Sequence, residues 1–238
     1  ASSVTANTNA TKAEADTVAA FNKAVVYSIS DTATAIAGGS DAGRNEAVDI
    51  TATTAATIAE ATTIDGASNS GSNTYNITDT ATAIAGANAG ARNEAVNIIC
   101  TTAATVAEAT TIDNSSNSGY NTYDIEDDDD AVAGAGNALA TTAGSVTVSG
   151  TSTVANAVTI AAYTKAVAYS ISDVSANALG ATADAYNEAI NITITNDTTY
   201  AKAKAIEDAT NSGTITYNIS DSATNITAGI GSDEDVIT

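Results

Sequence analysis

The densest run of side chains able to do chemistry is Glu126-Asp127-Asp128-Asp129-Asp130. Clustered carboxylate oxygens are what a hard cation takes, so Asp127, Asp128, Asp129 and Asp130 form the candidate metal group, with calcium as the candidate cofactor. The specific calcium signatures, a D-x-[DN]-x-[DN]-G loop and a G-G-x-G-x-D repeat, are missing, and the simpler reading is a solvated acidic loop. Asp233-Glu234-Asp235 reads the same way. The single Cys100 has no partner for a disulfide, and it shares the parity of Val96 and Ile98, which favours a small core residue over a reactive thiol. There is no His, no G-x-S-x-G elbow and no phosphate-cradling G-x-x-x-x-G-K-[ST]. Repetition also spreads similar groups along the chain instead of gathering them in a cleft, so the chain does not read as an enzyme.

A second candidate is a face made of short polar side chains. Asn76, Thr78, Asn191, Thr193, Asn218 and Ser220 occupy the outward positions of alternating segments and could meet a repetitive partner such as a glycan, ice or another copy. An ordinary solvated sheet face has the same pattern. Thr-x-Thr at Thr51-Ala52-Thr53 resembles water-ordering surfaces, but Ser, Asn and Asp interrupt the ranks. The N-x-[ST] triplets, Asn76-Ile77-Thr78 among them, follow from the Asn- and Thr-rich repeat.

The elements that would position these residues form a repeat. One block, Y-x-I-[ST]-D-[TS]-A-T, appears at Tyr27, Tyr75 and Tyr217, with close variants at Tyr123 and Tyr169. A second, N-E-A-[VI]-[ND]-I, begins at Asn45, Asn93 and Asn187. Tyr75 follows Tyr27 by 48 residues, and Val48 lies between them. Within each block apolar and polar residues alternate, which implies a half-buried strand. The Ala-rich segment Thr54 to Asp65 has Ala55, Ile58, Ala61 and Ile64 at near-helical spacing and reads as a short helix, as does Thr80 to Ala85. Asp31, Asp79, Asp173 and Asp221 stand where helix N-caps belong. Asn-Ser-Gly at 69–71, 117–119 and 211–213 reads as a helix stop with left-handed backbone. Asn45, Asn93 and Asn187 precede their strands, where an Asn amide could bond the backbone of a neighbouring turn.

Strand and helix alternating at this period indicate an α/β fold, a right-handed solenoid of about eleven strand-helix turns with one parallel β-sheet face, akin to a leucine-rich-repeat architecture. An all-β parallel β-helix is the alternative. Residues 1–238 read as a single repeat domain with strands near 4, 27, 48, 75, 96, 123, 146, 169, 190, 217 and 236. Tyr27, Ile29, Val48, Ile50, Tyr75, Ile77, Val96 and Ile98 would fill its core. Nine Tyr and one Phe are too few aromatics for a broad spherical core, and thin repeats suit them better.

Twenty-eight acidic and seven basic side chains give a net charge of −21, which argues against nucleic acid or an anionic membrane as partner. Neither a membrane span nor a signal peptide is visible, and Ala1 stands where a translated product would carry Met, so the chain reads as an excised or processed piece. The Y-x-I-[ST]-D-T-A block and the A-E-A-T-T-I-D segment with its following N-S-G resemble repeat tracts of giant secreted bacterial adhesin-like surface proteins. That resemblance implies an extracellular or cell-surface setting, often calcium-rich, and an adhesive or spacer role. The expected function is a structural module, an adhesin stalk or filament subunit, that associates with itself or with neighbouring repeats end to end. A glycan- or ice-binding module is the rival.

Overall fold

The computed structural model describes residues 4–178 and 180–230. The expected strand near 236 and the acidic group 233–235 lie outside them. The fold is α/β: the described residues contain thirteen short helices and fourteen short strands. All strand pairs are parallel, as the repeat implies. The chain divides into two compact units, Ala1–Tyr123 and Asp124–Thr238, which are taken separately.

In the first unit, Ile29–Asp31 pairs with Ile50–Ala52 in the register Ile29 to Ile50, and Ile77–Asp79 pairs with Ile98–Cys100 in the register Ile77 to Ile98. Between these pairs the ladder steps aside. Asn73–Thr74 pairs back to Ile50 and Thr51, whereas four residues later Ile77 bridges to Ala56. Tyr75 lies between the two stretches and is buried. A single sheet face was expected. The described strands instead form one two-stranded and four three-stranded sheets: strands stop on either side of Tyr27, Tyr75 and Tyr169, whereas Ile215–Ile219 runs through Tyr217 unbroken.

In this unit Lys12–Ala19, Ile58–Asp65 and Val106–Asp113 are eight-residue helices, and Ala33–Gly38 and Ala81–Gly86 are six-residue ones. Ile58–Asp65 buries Ile58, Ala61 and Ile64, while Ala55, grouped with them by spacing, lies outside the helix and is exposed. A helix this short is marginal by itself and depends on capping and packing. Thr57 supplies a capping box: its hydroxyl accepts from Glu60 N–H, and the Glu60 carboxylate accepts from Thr57 N–H at 2.9 Å. Thr11 with Glu14 and Thr105 with Glu108 repeat it.

Two features of the Val-type block differ from expectation. Asp41–Asn45 and Ala89–Glu94 are additional short helices that run into the N-E-A motif, too short and polar to show a period. As a result the alternation begins later than the block suggests. Val48 and Val96 are only half-buried, and Ala47 and Ala95 are the residues that turn inward; Tyr27, Ile29, Ile50, Tyr75, Ile77 and Ile98 are buried as expected.

The second unit repeats the scheme with local changes. Val146–Val148 pairs with Ile125–Asp127 and with Val167–Ala168, and Ile192–Thr198 pairs with Ile171–Asp173 and with Ile215–Ile219. The helical stretch Asp129–Thr142 breaks at Gly136, whose φ of 79° belongs to the left-handed region. Tyr163 closes that break, donating its hydroxyl to the Val132 and Ala133 carbonyls and accepting from Gly136 N–H. Here too the Val-type residue faces out: Ile190 is exposed and Ala189 is buried.

The Asn-Ser-Gly segments have no left-handed backbone, since the only described positive-φ residues are Gly136 and Gly150. The glycine is required by close approach instead. Gly71 N–H donates to Val48 O at 2.8 Å, and a Cβ there would lie 2.6 Å from that oxygen; Gly119 repeats both figures against Val96 O. Gly71→Ala is therefore expected to destabilise by roughly 1–3 kcal/mol in urea unfolding. Gly86→Ala, with open space around the new methyl, is expected to be neutral or to stabilise by up to about 1 kcal/mol. Equal effects of the two would rule out close approach as the reason for the glycine.

Candidate functional site

The carboxylates of the acidic run are engaged by the chain's own donors. Asp127 accepts from Asp128 N–H, and Asp128 is the N-cap of the following helix, accepting from Ala131 N–H. Asp129 accepts from Thr153 N–H and the Asn156 amide, and Asp130 accepts from the same amide. Burial opposes ionisation of Asp129, but these donors prevail and hold its carboxyl below the ordinary value. Among the described residues no three His, Cys, Asp or Glu side chains converge as a metal ion would require.

The polar face is also largely occupied by the chain itself. Asn76 Oδ1 accepts from the backbone N–H and the amide of Asn97, and Asn97 Oδ1 in turn accepts from Tyr120 N–H. Asn191 N–H donates to Ser170 Oγ, and its Oδ1 accepts from Thr214 N–H and hydroxyl. Thr78 and Thr193 sit half-buried within their strands, while Asn218 and Ser220 are exposed. Asn45, Asn93 and Asn187 do bond the neighbouring segment, each accepting from a backbone N–H 23 residues on: Ser68, Ser116 and Thr210.

The most regular polar arrangement was only partly visible in sequence. The helix N-caps are Thr32 and Thr80, one residue after the expected Asp31 and Asp79. Each Asp instead reaches the preceding segment. One carboxylate oxygen accepts from the next residue's N–H, and the other accepts from the first N–H of an earlier helix: Lys12 to Asp31 at 2.9 Å, Ile58 to Asp79 at 3.0 Å, Val154 to Asp173 at 2.9 Å and Tyr200 to Asp221 at 3.0 Å. Thr54 and Thr102 perform the same service for Ala33 and Ala81, and Asn196 for Ser175. First-turn N–H groups have no partner within their own helix, so these seven helices are each completed by a side chain 19 or 21 residues later.

Cations are spent the same way. Lys12, Arg44 and Arg92 are buried. Arg44 donates to the Ile36, Ala37 and Gly39 carbonyls at the end of one helix, and Arg92 to those of Ile84, Ala85 and Ala87. Tyr186 takes this place in the second unit, with its hydroxyl on Ala178 O. Lys12, Lys165 and Lys202 donate to the carbonyls of Ser40, Ala143 and Ser175. With five of its seven cations tied to backbone, the chain presents a surface dominated by carboxylates.

Among the groups able to react, burial and then Glu108 push the half-buried Cys100 thiol up to about 11, so it stays protonated at neutral pH. Burial raises Tyr75, which is also close to Asp65 and Glu94, and its hydroxyl donates to Ala91 O. A surface depression of about 510 Å³, lined in part by Thr153, Asp173, Ala176 and Asn177, has Asp173 as its ionisable group, and that carboxylate is already bonded to Val154, Val174 and Asn177. Among the described residues no helix is long and apolar enough to cross a membrane. Set against known protein families, curated proteins and solved structures, the chain matches none of them.

The bridging carboxylates give folding a pH dependence. Burial would raise Asp173, but the Val154 N–H, the Asn177 amide and the Val174 N–H hold it below the ordinary value; Asn225, Ser222 and Tyr200 lower Asp221. A depressed folded value means the stability is present above the ordinary Asp value of about 3.9 and is lost as pH falls through the folded value. Urea midpoints between about pH 6 and about pH 3 are expected to drop at the acid end in the wild type. Asp173→Asn should start lower and lose less on acidification; parallel curves would show that Asp173 makes no such contribution.

Proposed function

We propose that the chain is a structural repeat module, a stalk or filament subunit of an extracellular bacterial surface assembly, built as a right-handed solenoid of about eleven strand-helix turns. What carries this reading is the destination of the polar groups. Asp, Thr and Asn side chains with the chemistry to bind something are bonded to the chain's own neighbouring segment, 19, 21 or 23 residues away, and Arg44 is bonded to the carbonyls of the helix just before it. Parallel crossovers are right-handed in ~98% of cases, and eleven rows at ~4.8 Å spacing would make a stack of about 50 Å. The carboxylate-rich surface keeps its flanks soluble and repels indiscriminate contacts. Placement outside the cell rests on the resemblance of the repeat blocks to bacterial adhesin tracts. A glycan- or ice-binding face draws less support, because Asn76 and Asn191 are committed within the fold.

Such a module carries load along its repeat. When the whole chain is stretched from its two ends in an optical trap, it is expected to lengthen in successive steps, each 48-residue double unit releasing roughly 150 Å. One all-or-none rupture of the whole chain would contradict the reading.

A further inference from the structure

We propose that the guanidinium of Arg92 is a binding site for a small carboxylate, which enters from solvent and takes the place that Asp41 fills beside Arg44. The site goes beyond the structural-module reading and does not depend on it. Asp41 and Arg44 lie one 48-residue double unit before Ala89 and Arg92, and both arginines are buried. Nη1 of Arg44 donates to the Ile36, Ala37 and Gly39 carbonyls, and Nη1 of Arg92 donates to those of Ile84, Ala85 and Ala87. The two guanidinium groups are thus held alike.

Their remaining edges differ. Nη2 of Arg44 is paired with the Asp41 carboxylate, whereas position 89 is alanine. Neither Nη2 nor the buried Nε of Arg92 has a partner among the described residues. Arg92 is only 8% exposed, so water solvates this edge poorly, and a donor left unsatisfied there favours any acceptor that can arrive. Access is from outside: the Asp41 side chain beside Arg44 is 85% exposed, and Ala89 is exposed as well. Exchanging the aspartate for alanine removes one carboxylate, so formate matches the missing group in size and acetate comes next. An oxygen placed on Nη2 brings its neighbour toward Nε, because those two nitrogens share one edge of the planar group, a geometry that a carboxylate meets and chloride does not. Asp65 beside Gly90, and Glu94, do not pair with Arg92 themselves, and their charge keeps the affinity low, with a Kd of roughly 10–100 mM.

The chain has two arginines, so nuclear magnetic resonance of the ¹⁵N-labelled full chain offers two Nε–H signals, with Arg44 as the internal control. Sodium formate is titrated to about 200 mM against sodium chloride at constant ionic strength. The signal that disappears in Arg92→Lys is expected to move saturably with formate, while the Arg44 signal stays still. Ala89→Asp supplies the carboxylate in the way Asp41 does, and should abolish the response to formate; Ala89→Glu serves if that variant does not fold. Formate should also raise the urea midpoint of the wild type and leave that of Ala89→Asp unchanged. An Arg92 signal that does not move, moves without saturating, responds equally to chloride, or still responds to formate in Ala89→Asp would overturn the site.

Discussion

The structure depends on how the first N–H of each very short helix finds an acceptor. Helices of four to eight residues cannot nucleate favourably on their own, and their exposed first turns leave donors unpaired. Here the acceptor comes from the following segment, as Asp79 supplies Ile58 and Thr102 supplies Ala81. A side-chain cap contributes about 1 kcal/mol, comparable with the net stability of a short helix, so local and long-range structure are formed by the same bonds. Each segment is thus incomplete without its successor.

Other features follow from that constraint. The segments must lie close enough for a carboxylate to reach the neighbouring backbone, so the cross-segment contacts at Gly71 and Gly119 exclude a Cβ. Helices that begin on a borrowed cap also need their carbonyl ends closed, and Arg44, Arg92 and Tyr186 do this from the buried side. Tyr27, Tyr75 and Tyr169 tie the layers together, each donating its hydroxyl to a carbonyl 16 residues on. Acidic side chains outnumber basic ones 28 to 7, and five of the seven cations are bonded to backbone carbonyls, so the outward charge is negative.

Residues that act through their own periodicity were legible in the sequence, and those that act on a distant partner were not. Alternation placed Ile29, Ile77 and Tyr75 inside, and near-helical spacing found Ile58–Asp65. Asp31 and Asp79 looked like N-caps because they stand one residue from the true caps; their identity signals capping, but nothing local says that the capped helix lies some 20 residues earlier. The short helix Asp41–Asn45 spans little more than one turn, too little for a periodic signal, and overlooking it displaced the inward position from Ala47 to Val48. The polar face was identified by composition, but its bonds to neighbouring segments depend on register, which composition does not contain.

Amide hydrogen exchange gives the most direct test of the borrowed caps. First-turn amides of a surface helix ordinarily exchange quickly, since water is their partner. The account predicts strong protection of the amides of Ile58, Ala81, Val154 and Ser175, with protection at Ile58 lost in Asp79→Ala while the Ala61 amide within the same helix remains slow. Unprotected amides at these four positions in the wild type, or an Ile58 amide indifferent to Asp79, would contradict it.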